Sequence, residues 1–316
     1  LIIEPIAMLS LRPLTPVFGA EVRGVDLRLA QPKARLEAIY DAFLEYGVLV
    51  LPGQAIDIDQ QLTFARVFGE LWMLPETSLK GIGGAPRIKT RAISDVSNID
   101  DKGELVGAAS EKVMFQLGNQ LWHSDSSFNA VPAHASMLHA VAIAEDGGET
   151  QFADLIAPYE SLAAEHQAAL EGLVAEHSLS HSRVKGGYGG LDVEALKKAI
   201  PPSLQPVVRT HPETGKKALY VGAHVSRVVG KSELDGMRLV DDLMALITQD
   251  RFVYTHRWAV HDLVIWDNRR VLHRARPYDA DSVRRVMHRA TVAGDGPLVM
   301  DGKILPVSVK RRAIMA

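Results

Sequence analysis

The sequence predicts a mainly β fold with a few helices, a β-sandwich or jelly roll. Many short apolar runs bounded by Gly, Pro, Asn or Asp predict strands. Only a few stretches carry helical spacing, and no internal repeat or low-complexity tract is present.

Taken in order, Gly19 to Leu27 alternates loosely and reads as a strand. Pro32 to Tyr46 places Leu36, Ile39, Tyr40, Phe43 and Leu44 at helical spacing, with Pro at its start and Gly47 past its end. Val48 to Leu51 is a short buried strand closed by Pro52 and Gly53. Asp57 to Phe68 is a second helix, capped by Asp57 or Asp59 and stopped by Gly69. Residues 72 to 118 are less regular, with Gly81, Gly83 and Gly84, and read as long loops, a place for lids. Ser136 to Ile143 and Glu149 to Phe152 are strands. A helix follows at about Ala164 to Leu173. Residues 183 to 203 are rich in Gly and Pro and read as another mobile loop. Strands at Val207 to Thr210 and Ala218 to Val221 precede a helix opened by Ser232 with Asp235 three residues on. That helix runs to about Ile247. Strands at Phe252 to Trp258, Leu263 to Trp266 and Arg284 to Thr291 complete the set.

Composition narrows the function. Of 316 residues, 47% are hydrophobic and 23% charged, as in an ordinary globular protein. A net charge of −3 gives no strong pull toward nucleic acid or anionic membrane, and no such partner is expected. There is no cysteine, which excludes disulfides, thiolate metal sites and cysteine nucleophiles and suits a cytoplasmic setting. No apolar run is long enough for a membrane span. The first nine residues make a poor signal peptide, and Met8 is the expected vicinity of the native start.

Trp122-His123-Ser124-Asp125 is the most informative tetrapeptide. Residues two apart on an extended chain point to one side, so His123 and Asp125 can offer a nitrogen and an oxygen to one ion. With a second histidine from a distant strand they form a 2-His-1-carboxylate face with open positions, as suits non-haem Fe(II). Among 12 histidines one such triplet also arises by chance. His273, after the apolar strand ending at Trp266, is either that second ligand or a polar residue at a strand end. In Arg284-Arg285-Val286-Met287-His288-Arg289, strand periodicity puts Arg285, Met287 and Arg289 on one face. Two arginines there are a solvated edge or a pair of anion anchors.

Together these segments resemble the taurine/2,4-dichlorophenoxyacetate dioxygenase family, most of all its 2,4-dichlorophenoxyacetate members. The matching stretches are 64–69, 119–128, 147–152, 208–211 and 222–224, and the segments around His273 and Arg285. The likeness spans about residues 12 to 293. It implies one dioxygenase domain over 1–316, with 294–316 as a C-terminal extension, built on a double-stranded β-helix, a jelly-roll, cupin-like core. It implies Fe(II) on His123, Asp125 and His273, with 2-oxoglutarate and O2 as co-reactants. Thr150 and Arg285 are implied for the far carboxylate of 2-oxoglutarate, and Arg289 for the prime substrate's anion. The loop after His273 is one residue longer than usual in the family. Counting from His273 selects Arg284, whereas aligning Arg-Arg-x-Met-His-Arg-Ala-Thr selects Arg285, which strand geometry favours.

The implied reaction hydroxylates the side chain of an aryloxyacetate, whose hemiacetal collapses to a phenol and glyoxylate, with succinate and CO2 as co-products. An alkylsulfonate or alkylsulfate dioxygenase is the alternative within the family. A metal-free binding module and a zinc hydrolase are disfavoured by the intact site residues and by the lack of a His-Glu-x-x-His helix. A homo-oligomer is expected from the family only. Asn119, His211, His224 and Lys80 are further substrate-binding candidates. Both histidines also read as structural, and Lys80 and Lys89 as solvated. Trp72, Met73 and Leu79 are candidates to line an apolar pocket, and Arg183 and Tyr188 to gate it. Trp122 and Phe128 read as packing around the metal strand.

Overall fold

In a computed structural model, residues 9–74, 87–188 and 192–314 are described. The expectations for Lys80 and Leu79 fall outside them. The chain opens with a hairpin of β1 (Ser10–Pro13) and β2 (Ala20–Arg23). Helix α1 (Lys33–Tyr46) buries Leu36, Ile39, Tyr40 and Phe43, as its apolar spacing predicts. It ends at Gly47, whose φ of 71° lets its N–H return to Phe43. Then come β3 (Val48–Leu51) and α2 (Ile58–Arg66). Asp57 and Gln60 form a full capping box on α2.

The described residues of the stretch 72–118 are more regular than predicted. They contain β4 (Ile93–Ser97), α3 (Glu111–Gln116, capped by Ser110) and a 3-10 turn over Leu117–Gln120. Next come β5 (Ala135–Ala142), β6 (Thr150–Asp154), α4 (Ile156–Glu160), α5 (Ala164–Leu170) and β7 (Val174–His177). The stretch 183–203 is likewise not one loop. It holds the end of α6 (Leu179–Lys185) and the whole of α7 (Val193–Ala199), capped by Ser178 and Asp192. Strands β8 (Ser203–Pro206), β9 (Val208–Thr210), β10 (Lys217–Leu219) and β11 (Val225–Val228) follow. Helix α8 (Glu233–Ile247) starts at Ser232, whose hydroxyl accepts from the Asp235 N–H. The last strands are β12 (Val253–His256), β13 (Leu263–Asp267), β14 (Val271–Ala275), β15 (Val286–Val292), β16 (Val299–Met300) and β17 (Lys303–Ile304).

Two sheets position the site. Among the described residues the larger runs β1-β2-β3-β13-β5-β15-β4, and the smaller runs β12-β6-β14. Strand periodicity splits their side chains cleanly. Val48, Val50, Leu138, Ala140, Val264, Trp266 and Met287 of the larger sheet meet Phe152 and Val271 of the smaller one in a shared core. The alternate residues Leu49, Leu51, Met137, Leu263, Ile265 and Ala290 pack outward with α1 and α2. Ala153 and Leu272 on the outer side of the small sheet pack with α4, α5 and α8. The molecule is therefore sheet-rich with helices outside.

The C-terminal residues lie back on this body. Lys310 donates to Pro212 O, the Arg312 backbone to Glu213, and Arg311 pairs with Asp41 at 2.6 Å. No helix among the described residues is long and apolar enough to cross a membrane.

Several histidines are buried in neutral form. Burial pushes His177 down to about 3 and His288 down to about 4. The unfolded chain, with ordinary imidazoles, then binds more protons than the folded one below about pH 6.5. Stability present at neutral pH is lost as pH falls from about 6.5 toward those values. His177 alone accounts for about 2 kcal/mol at pH 5. Thermal midpoints measured from pH 7.5 to 5 should fall, and His177→Gln should flatten that fall. A midpoint that rises on acidification contradicts the assignment.

A buried His–Asp–His centre

The site lies between the two sheets. His123 and His273 face each other across an isolated antiparallel bridge, exchanging both backbone hydrogen bonds at 3.0 and 2.8 Å. Directly opposed residues share a face, and the two rings are 4.2 Å apart between centroids. The chain is extended through Ser124 and turns at Asp125, which brings the carboxylate back to the imidazoles. His123 Nε2 is 3.8 Å from Asp125 Oδ1, and His273 Nε2 is 3.7 Å from Oδ2. One ion with bonds of about 2.1 Å spans such gaps. Among the described residues this is the one group of three donors close enough to hold a metal, and each member is buried.

Supporting contacts fix each donor. His123 Nδ1–H donates to Leu121 O at 2.7 Å, which leaves Nε2 unprotonated toward the carboxylate. His273 is clamped by rings instead, Trp266 at 4.7 Å and Phe152 at 6.3 Å, and its Nδ1 has no partner among the described residues. Asp125 accepts from Ser136 Oγ at 2.7 Å and from Arg289 Nη1 at 3.0 Å. Asn268 ties the assembly together. Its side-chain oxygen accepts from Trp266 Nε1 and the Asp125 N–H, its amide donates to Ser136 Oγ, and its carbonyl accepts from Ser124 Oγ. Ser136 and Asn268 were not among the predicted site residues. Nothing local in the sequence marks the role of either.

The electrostatics suit a divalent cation. Burial pushes the imidazole of His273 down to about 3 and also lowers that of His123, although Asp125 opposes it. Burial would raise the Asp125 carboxyl, but Arg289, the two histidines and Ser136 hold it below the usual carboxylate range. At neutral pH the donors are two neutral imidazoles and one carboxylate, the protonation states that a metal requires. The chemistry of this donor set fits Fe(II).

Around this centre the predicted residues divide. Arg285 immediately precedes β15 and is buried, donating through Nη2 to Gly148 O at 3.1 Å. A Cβ at Gly148 would stand 3.1 Å from Arg285 Nε, and its φ is +70°, so this approach requires glycine. Arg284 points outward, half exposed, toward Glu104 at 3.9 Å. Thr150 is buried two residues beyond Gly148. Its hydroxyl oxygen accepts from Trp258 Nε1 at 3.1 Å, so its own hydrogen is available to a ligand. Met287 is in the inter-sheet core and Arg289 reaches Asp125, so positions 287 and 289 face inward.

His224 is brought to the centre, its ring 5.7 Å from that of His123, with Nδ1 on Ser182 Oγ. His211 is not. It is fully buried, Nε2 donates to Asp267 at 3.0 Å, and Nδ1 accepts from the Glu213 and Thr214 N–H groups. Both ring nitrogens thus serve the fold, with none free for a substrate. Asn119 faces Arg183. Lys89 and Met73 are exposed and Trp72 is half-buried. Trp122 packs in the outer core under the Arg274 guanidinium, and Phe128 stands 4.9 Å from His224, in line with packing roles.

This geometry defines a facial-triad metalloenzyme site in a two-sheet fold. Residues 10–291 match the family described as "Taurine catabolism dioxygenase TauD, TfdA family", and the chain belongs to that family. It is 43% identical over 284 residues to the alpha-ketoglutarate-dependent 2,4-dichlorophenoxyacetate dioxygenase of Cupriavidus pinatubonensis, covering 90% of this chain and 97% of that one. It is 34% identical to the (S)-phenoxypropionate/alpha-ketoglutarate-dioxygenase of Sphingobium herbicidovorans, covering 90% and 95%. A crystal structure of AAD-2 in complex with Mn(II) and N-oxalylglycine superposes with a TM-score of 0.83 at 39% identity, covering 93% of this chain and all of that one.

Proposed function

We propose that this chain is an Fe(II)- and 2-oxoglutarate-dependent dioxygenase that oxidises the side chain of an aryloxyacetate. The observation that carries the chemistry is the buried His123–Asp125–His273 group, with Arg289 on its carboxylate. The substrate class rests on the relatives. Those at 43% and 34% identity are named for aryloxy acids, whereas an alkylsulfatase and a sulfate ester dioxygenase stand at 31% and 29%. The two facing sheets are read as the double-stranded β-helix of this family. The chain is read as one dioxygenase domain with residues 294–316 as an extension. It is also read as a cytoplasmic homo-oligomer that binds a small anion, with no nucleic-acid or membrane partner. Supporting this are the near-neutral net charge, the lack of cysteine and the family itself.

His123, Asp125 and His273 hold Fe(II). With 2-oxoglutarate and dioxygen, the bound metal supplies an oxidation that yields succinate and carbon dioxide and places a hydroxyl on the substrate's CH2. The hydroxylated carbon is a hemiacetal, which releases a phenol and glyoxylate. Arg285 and the Thr150 hydroxyl, both buried, hold the far carboxylate of 2-oxoglutarate through a charge-assisted contact. Arg289, at the edge of the centre, faces the anion of the prime substrate and sets its CH2 beside the metal. Burial of all three ligands keeps water from the reacting carbon.

The test supplies Fe(II), 2-oxoglutarate and a panel of aryloxyacetates, alkylsulfonates and alkyl sulfates to the purified enzyme. Phenol and succinate should form in equal amounts from 2,4-dichlorophenoxyacetate. Turnover of taurine or an alkyl sulfate with no phenol from any aryloxyacetate overturns the substrate and leaves the iron chemistry.

A further inference from the structure

Arg183 was expected only to gate the site from a mobile loop. Instead it stands in α6, nine-tenths buried, beside the metal centre. The path is short. The His123 ring touches His224, His224 bonds Ser182, and Ser182 precedes Arg183. The guanidinium lies over the Phe115 ring, 4.5 Å from its centroid, and against Gly118, where any Cβ would collide with Nη1. Among the described residues its polar partner is a neutral one, Asn119 Oδ1 at 3.4 Å, and its buried Nε has none.

A buried guanidinium without a carboxylate is costly, and proteins rarely keep one without use. Among the described residues Arg183 forms no ion pair, unlike the buried Arg269 and Arg270, which hold Asp267 and Asp154 at 2.7 Å. Burial and the nearby charge of Arg289 pull Arg183 down to about 10, and Asp125 offsets this only in part. Two arginines therefore approach from different elements, α6 and β15, and Asp125, which attracts both, is committed to the metal. An anion between them gives Arg183 the counter-charge it lacks and gives Arg289 an acceptor besides Asp125.

We infer that Arg183 is a specificity-determining contact for the carboxylate of the prime substrate, opposite Arg289. This rests on the proposed function and deepens it. The Phe115 ring stacked on Arg183 holds the guanidinium plane in place, and Asn119 fixes its roll. A neutral molecule of the same shape leaves the charge unmatched, so the enzyme rejects it.

The test uses the intact enzyme with Fe(II) and 2-oxoglutarate under anaerobic conditions. Calorimetry gives the Kd of 2,4-dichlorophenoxyacetate and of the neutral 2,4-dichlorophenoxyethanol. Steady-state assays give KM for acid and cosubstrate. Arg183→Gln should weaken binding of the acid about 10- to 100-fold. It should leave the alcohol and the KM for 2-oxoglutarate within about twofold. Arg183→Lys, which keeps the charge, should recover part of the preference for acid over alcohol. Equal weakening of acid and alcohol, unchanged binding of the acid, or a loss confined to 2-oxoglutarate overturns the inference. If the wild-type enzyme binds an alkyl sulfate or sulfonate instead, the aryloxyacetate reading falls. The arginine is then judged on that anion: its loss in Arg183→Gln upholds the inference, and its retention overturns it.

Discussion

Replacement of His123, Asp125 or His273 by alanine should abolish Fe(II)-dependent turnover of 2-oxoglutarate while the chain remains folded. The donors lie within 4.8 Å of one another, and a facial triad has no spare ligand among the described residues to fill a gap. The fold should survive because the side chains carry little of it. His123 gives up one hydrogen bond to Leu121 O, worth about 1 kcal/mol, and His273 Nδ1 has no bond to lose. The backbone bridge between the two positions does not depend on the side chains. Asp125 differs, because its removal strips Arg289 and Ser136 of their acceptor. Asp125→Asn keeps the shape and the Ser136 contact and separates metal loss from packing loss. Metal titration, with circular dichroism and melting curves, checks the set. Turnover at the wild-type rate in any alanine variant would show that its residue is not a ligand.

How far the sequence alone led depends on where the physical signal lay. Helix α1, strand β3 and helix α2 were legible because each carries its own evidence: apolar spacing, the Gly47 stop and the Asp57 capping box. Helices α3 and α7 were not, since neither buries a residue and so neither imprints a periodic apolar stripe. Their caps, Ser110 and Asp192, are single polar residues in glycine-rich surroundings. Strand β7 reads Val-Ala-Glu-His, with no clear alternation, and forms because β8 and β11 pair with it. The same division runs through the site. His123 and Asp125 are two residues apart and could be seen together. His273 joins them through a backbone bridge that no local pattern marks, and only the resemblance implied it as a ligand. Asn268 and Ser136 act across 143 and 11 residues, and Arg183 reaches Asn119 across 64, so no local pattern carries them.

Arg285→Ala should raise the 2-oxoglutarate requirement strongly, whereas Arg284→Ala should leave it nearly unchanged. The sequence left these neighbours open, since counting from His273 favours the first arginine and strand alignment the second. Their environments differ. Arg285 is buried, over the Tyr278 ring and bonded to Gly148 O, two residues from Thr150. Arg284 is half exposed and faces Glu104 across 3.9 Å, a surface contact worth little. Burial lowers the Arg285 pKa, with Tyr278 opposing, and among the described residues it forms no ion pair, so its charge gains from an incoming carboxylate. Loss of a charged hydrogen-bonding partner costs about 1.5–3 kcal/mol, a rise in KM of roughly 10- to 150-fold. Thr150→Ala removes a neutral donor, worth about 1 kcal/mol, so its rise should be about fivefold. The KM for the prime substrate should move much less in each case. Succinate release measured against 2-oxoglutarate concentration for the three variants ranks them. The order Arg284 above Arg285 would place the extra loop residue inside the strand register and move the anchor outward by one position.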